Sequence, residues 1–201
     1  MLMPLPTESK RLTATSAGLR MALEEFRAID DFEEGYRFEL IQGILVVTPP
    51  PSPAHSNSND ELAYLLRAYR ENNPQGKCID GTFTDCELVT SIGLRVADRA
   101  IWIGLGRLPR PDQDVPSIVI EFVSPGKASY LRDFEHKRDE YLKLGCREYW
   151  VFDRFDRTMA VFRPNVPWLV VTEDQNYVTE LLPDFVLPVK RIMAAADEYK
   201  K

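Results

Sequence analysis

Glu121 stands inside an otherwise apolar run, Ile118-Val119-Ile120-Glu121-Phe122-Val123. A run this short and this rich in Ile and Val reads as a strand covered on both faces of a sheet. Carboxylates are rarely buried unless they are paired or hold a metal, because losing hydration costs several kcal/mol or more. Glu121 therefore has two readings. It makes a structural ion pair with a nearby Arg or Lys, or other residues converge on it to form a site.

The elements around that strand give a mixed α/β pattern. Residues 1–14 are polar and Pro-containing and are expected to be a loose N-terminal segment. Residues 15–201 are expected to form a single domain, long enough for a substantial core. Thr15 and Ser16 can cap a helix through Leu19, Leu23 and Phe26 to about Ile29. The runs 36–41 and 44–48, joined by Gln42-Gly43, predict a hairpin. After Pro49, Pro50, Pro51 and Pro53, a helix is expected from His55 to Tyr69. Strands follow at Thr82–Val89, Leu94–Ile103 and Ser117–Val123, then a helix from Asp133 to Leu144 that stops at Gly145. Further strands are expected at 148–153 and 158–163, with an outer hairpin of 168–172 and 177–182.

Composition narrows the function. With 44% hydrophobic and 28% charged residues, the chain is of the ordinary water-soluble type. It has no apolar stretch long enough to span a bilayer and no signal-peptide pattern at its start. Cys78, Cys86 and Cys146 are odd in number and lack zinc spacing, which predicts reduced core thiols and a cytoplasmic location. A net charge of −6 counts against broad, nonspecific nucleic-acid binding. It still leaves room for a local basic rim, because basic residues thicken from Arg95 to Arg157 and include Arg107, Arg110, Lys127, Arg132 and Lys137.

Several side chains are candidates to join Glu121. Asp98 opens a strand and alternates onto one face with Val96, Ala100 and Trp102. Arg95 or Arg99 could neutralise it; beside Glu121, a shared divalent cation would be needed to hold the two acids together. At about 100° per residue, Leu131, Phe134, Tyr141, Leu142 and Leu144 cover one arc of the following helix. Lys137 falls in that arc, as does Arg138, while Arg132, Asp133, Glu135, His136, Asp139, Glu140 and Lys143 form the polar arc. Lys137 can point its ammonium at Glu121, and a purely structural pair fits the pattern equally well. Glu39 reads as an exposed strand position or a further acid of the site. His55 reads as an exposed residue near a helix cap. No glycine-rich phosphate loop, Cys/His cluster or serine or cysteine nucleophile arrangement is present.

Six motifs in order resemble one family: 38-FELIQGIL-45, 49-PPPSPAH-55, 96-VADRAI-101, 120-IEFVSP-125, Asp133-x3-Lys137-x3-Tyr141 and 148-EYWVFD-153. Over about residues 15–190 the chain is similar to the Uma-two family, bacterial proteins of the restriction-endonuclease-like, or PD-(D/E)xK, superfamily. The resemblance implies a mixed β-sheet flanked by helices, with an N-terminal hairpin and a C-terminal β extension. It implies that Asp98 and Glu121 are the two acids of the site and that Lys137, carried by the next helix, replaces the lysine that Val123 displaces. Glu39 matches a recurrent acidic position, and His55 a Pro-x-His segment of unassigned role. Ala97 departs from the expected proline, and Arg99 from a small apolar residue.

The expected activity is therefore metal-dependent endonuclease hydrolysis of a nucleic acid, DNA first. Asp98, Glu121 and the Phe122 carbonyl would hold Mg²⁺ or Mn²⁺, with Glu39 and His55 as additional candidates and Lys137 as the catalytic cation. The alternative is a nuclease-fold module that binds nucleic acid or a protein partner without turnover. Relatives of this fold often pair as homodimers.

Overall fold

The computed structural model describes residues 10–126, 130 and 132–199; most of the expected loose segment, and Lys127 and Leu131, lie outside the described residues. In chain order the elements are β1 Arg11–Leu12, α1 Leu23–Arg27, β2 Asp31–Phe32, β3 Arg37–Ile41, β4 Ile44–Thr48, α2 Pro53–Asn72, β5 Ile79–Thr90, β6 Gly93–Ile103 and β7 Ile118–Phe122. A π-helical stretch, Arg132–Lys137, then runs into α3 Arg138–Leu144, followed by β8 Glu148–Asp153, β9 Thr158–Phe162, β10 Leu169–Thr172, β11 Asn176–Tyr177, β12 Leu187–Pro188 and α4 Val189–Asp197. These form two compact units, one of residues up to Pro50 with Val89–Val96, the other of Pro51–Leu88 and Ala97 onward.

In the first unit, β3 and β4 make the expected hairpin, with Gln42 and Gly43 both at positive φ (51° and 74°) in the tight turn. β3 also pairs with the start of β6, Leu40 against Leu94 and Ile41 against Gly93. A Cβ at Gly93 would sit 1.8 Å from the Leu40 carbonyl oxygen, so only glycine fits there. The long helix expected from Thr15 does not form. Gly18 and Met21 instead donate backbone hydrogen bonds to Leu45 and Gly43, and Leu45 donates to Leu19, so this stretch runs extended beside β4. Apart from a 3-10 turn at Ala14–Ser16, helix is confined to α1 because those sheet-like bonds, made across the chain, override the local 3.6-residue pattern.

In the second unit the strand order is β10-β9-β8-β7-β6, with β5 pairing β6. β7 runs parallel to β8, and the other neighbouring pairs along that order are antiparallel. Side chains alternate between two cores. Ile118, Ile120, Phe122, Trp150 and Phe152 pack under α2 and α4, through Leu62, Leu66 and Ile192. Val119, Val123, Tyr149 and Val151 pack with Phe134 and Tyr141 of the π-helical stretch and α3. Coverage on both faces is why β7 and β8 are buried throughout. The architecture is a large mixed sheet flanked by helices, as the family resemblance implied. The outer hairpin of 168–172 with 177–182 is not made: β10 adds to β9, and β11 pairs with β12. The sequence reading also missed α4, although Val189, Ile192, Met193 and Ala196 are spaced to give it one buried face.

Candidate active site

Glu121 is buried (2% exposed) near the end of β7, on the sheet face covered by the π-helical stretch and α3. Lys137 Nζ donates to Glu121 Oε1 at 2.9 Å, and the Tyr141 hydroxyl donates to the same oxygen at 3.0 Å. Lys137 is itself only 3% exposed. The ambiguity between Lys137 and Arg138 is resolved by geometry, because Arg138 pairs with the exposed Asp139 and lies over the Phe162 ring.

Asp98 arrives from the adjacent strand. β6 and β7 pair Arg99 with Ile120 and Ala100 with Val119, and continuing that register by one residue sets Asp98 opposite Glu121. Side chains directly opposite on an antiparallel pair start from Cβ atoms roughly 5 Å apart. Asp98 Oδ2 accepts the Phe122 N–H at 2.8 Å. His55 Nε2 approaches the same oxygen at 3.0 Å, an ion pair whenever the imidazole is protonated, although no ring N–H is aligned along that line. Burial works against ionising Asp98, but the adjacent His55 imidazole, the Lys137 ammonium and the Phe122 N–H outweigh it. They hold this carboxyl well below the usual range.

Arg99 does not compete for Asp98. Strand alternation turns it to the other face, where Nε donates to Asn59 Oδ1 at 2.7 Å and a terminal nitrogen to Thr82 Oγ1 at 3.1 Å. Asn59 in turn donates to the Asp98 carbonyl at 2.9 Å, so α2 holds both the backbone of this acid and the side chain that follows it. His55 was expected to be exposed and is buried (7% exposed) at the start of α2, in a crevice with Ser58, Phe122 and Phe152.

Asp133 was missed. The 100° wheel puts it on the polar arc, yet it is 2% exposed, as Glu140 is at 6%. The wheel fails because residues 132–137 wind as a π-helix, whose wider turn shifts every position relative to α-helical geometry. Burial raises the Asp133 pKa, against the opposing charges of Lys137 and Arg132 and with the aid of Asp98's. Tyr149 donates to the Asp133 carbonyl at 2.9 Å, and burial together with Glu121, Asp133 and Asp98 pushes its hydroxyl well above its ordinary value. Three acids and one lysine thus share an electrostatic neighbourhood. The spacing Asp133-x3-Lys137-x3-Tyr141 was the available signal. Glu39 belongs to the first unit, buried (4% exposed) rather than exposed, and accepts the Val96 N–H there at 3.0 Å. His136 is exposed, as expected.

The oxygen donors available are those of a hard-cation site. Among the described residues no three His, Cys, Asp or Glu side chains are grouped to hold a metal ion. Mg²⁺, however, characteristically keeps several waters and takes only one or two carboxylates. The Asp98–Glu121 pair meets that lesser requirement.

A solved structure shares this fold. The chain is similar to the crystal structure of "a putative nuclease belonging to DUF820 from Anabaena variabilis ATCC 29413", with a TM-score of 0.71 and 19% identity over 88% of this chain and 99% of that one. None of the curated proteins matches the chain. The family model Uma2, "Putative restriction endonuclease", matches residues 23–190, and the chain belongs to that family.

Proposed function

We propose that this protein hydrolyses nucleic-acid phosphodiester bonds with the help of a divalent cation, DNA being the first substrate to test. The observation that carries the reading is the placement of Asp98 opposite Glu121 on neighbouring strands, with Lys137 Nζ 2.9 Å from the glutamate. A purely structural ion pair explains Glu121 and Lys137 but leaves a second, strongly ionised acid across the strand unexplained.

In this reading Asp98, Glu121 and the Phe122 carbonyl would hold Mg²⁺ or Mn²⁺. Such an ion, when bound, supplies an acidified water and relieves charge on the phosphate. The chain's own residues do the rest. Phe122 N–H and His55 fix the rotamer of Asp98. Tyr141 shares Glu121 Oε1 with Lys137 and so holds the glutamate in place. The Lys137 ammonium, kept out of bulk water, stabilises negative charge that develops at the phosphate. β7 and the π-helical stretch hold this constellation on regular structure rather than on a loop.

The test is cleavage of single- and double-stranded DNA and RNA with Mg²⁺, Mn²⁺ or EDTA, using wild type, Asp98→Asn and Glu121→Gln. Cation-dependent cleavage by wild type, lost in both variants, supports the proposal. No cleavage under any condition, or variants that cut like wild type, removes it in favour of a nuclease-fold binding module.

A further inference from the structure

The chain has three tryptophans, and two of them, Trp102 and Trp150, are fully buried, whereas Trp168 is 51% exposed. Trp168 is exposed in a particular way. Its ring lies parallel to Phe162, centroids 5.4 Å apart and planes 1° from coplanar directions. Tyr130, 38% exposed, is stacked on Phe134 in the same manner, at 4.1 Å and 13°. The two backing rings, Phe134 and Phe162, are buried and meet edge to face at 6.1 Å. Phe134 also touches Trp168 edge-on at 6.4 Å. The Arg138 guanidinium completes the group, 5.7 Å from the Phe162 centroid.

Exposed aromatic rings are costly in water, and here two of them are held flat and fixed by buried partners rather than folded into the core. Fixed rings with an arginine beside them suit ligands that are themselves flat and attached to anionic backbone, which describes nucleobases on a strand. Position agrees with this. Phe134 lies between Asp133 and Lys137, so the π-helical stretch that carries the site lysine also carries the floor of the ring cluster. A duplex hides its base faces within the stack, whereas an unpaired strand, loop or end presents them.

We propose that Tyr130 and Trp168 form a stacking platform for unpaired bases of the nucleic acid engaged by the Asp98–Glu121 site. The inference rests on the nuclease reading for its context and narrows the substrate to strands with unpaired nucleotides. The rival occupant is a second copy of the chain, since Val166, Leu169 and Val170 beside Trp168 are also exposed.

The experiment is run in EDTA, so that binding is read without cleavage. An oligothymidylate of about eight nucleotides, and a blunt duplex of equal length, are titrated into the full chain. Tryptophan emission is recorded together with the anisotropy of a labelled strand. Trp168 is the only tryptophan a base can reach, so the single strand should quench its emission and the duplex should not. Trp168→Ala should weaken single-strand binding by roughly tenfold or more, Tyr130→Ala should weaken it less, and Trp168→Phe should retain most of it. Circular dichroism of each variant verifies folding, and Trp168→Phe keeps the ring if the alanine variant is unstable. Equal affinity in wild type and folded Trp168→Ala overturns the platform. So does quenching that follows protein concentration without DNA, which would identify self-association. Cleavage of the same strand is assayed separately with Mg²⁺ or Mn²⁺, so a strand that quenches Trp168 but is never cut fails the nuclease reading alone, and one that is cut while folded Trp168→Ala binds it like wild type fails the platform alone.

Discussion

Two buried glutamates on neighbouring parallel strands make opposite uses of the same expensive group. Glu148, at the start of β8, is 4% exposed and surrounded by donors. Its Oε1 accepts from Arg163 Nε at 2.9 Å and Thr179 at 2.8 Å, and its Oε2 from Trp150 Nε1 at 2.8 Å and Tyr177 at 2.9 Å. No other carboxylate is among these partners, and the cluster ties β8, β9 and the C-terminal segment together. Glu121 is equally buried, but its lysine and tyrosine both address Oε1, and across the strand stands a second acid. Burial of a carboxylate is therefore not the mark of a site. Two acids brought opposite each other are what the proposed site rests on, because folding alone gives little reason to assemble like charges.

That contrast makes the variants at the two glutamates diverge. Asp98→Asn or Glu121→Gln should lower cation-dependent cleavage by about 10³-fold, the scale expected for removing a main electrostatic support of a transition state, and this loss should persist in folded protein even though Glu121→Gln leaves the Lys137 ammonium without its carboxylate. Glu148→Ala should do the reverse. It strands Arg163, Trp150 and Tyr177 and should cost about 3 kcal/mol in urea unfolding, the low end for a broken buried pair because Arg163 is part exposed. Metal affinity of its folded fraction should be unchanged. If Glu148→Ala abolishes cleavage in protein that remains folded, the division between the two glutamates is wrong.

Smaller effects sharpen the picture. Lys137→Met should reduce single-turnover cleavage by about 10²-fold while retaining substrate affinity, if the ammonium acts on developing charge as proposed. His55→Ala should weaken Mn²⁺ binding by about tenfold through a less constrained Asp98, and His55→Asn, which restores a polar neighbour, should recover part of it. The smallest effect is expected at the thiols. Burial, with Glu148 nearby, pushes the Cys146 thiol up to about 12, and burial with Glu87 pushes Cys86 up to about 11. Thiolate is scarce at neutral pH in both, so alkylation followed by mass spectrometry should label the half-buried Cys78 first.

The parts of this molecule legible in its sequence were those where one local pattern and the fold agree. The apolar strand around Glu121, the Gln42-Gly43 hairpin and the helix ended by Gly145 (φ 107°) all carry their reason within a few residues. Lys137 and Tyr141 were accessible through a four-residue spacing. Asp133 was lost because that spacing winds through a π-helical turn that a regular wheel misplaces. His55 was misjudged because its burial comes from Phe122 and Asp98, far along the chain, and not from its own helix-start segment. The extended stretch before α1 was hidden for a similar reason, since its backbone partners lie in β4.

The most direct measurement is Mn²⁺ binding followed by electron paramagnetic resonance on wild type, Asp98→Asn, Glu121→Gln and Glu148→Gln. The account predicts one site per chain, lost in the first two variants and intact in the third. Binding that survives both substitutions, or that is lost with Glu148, would contradict it.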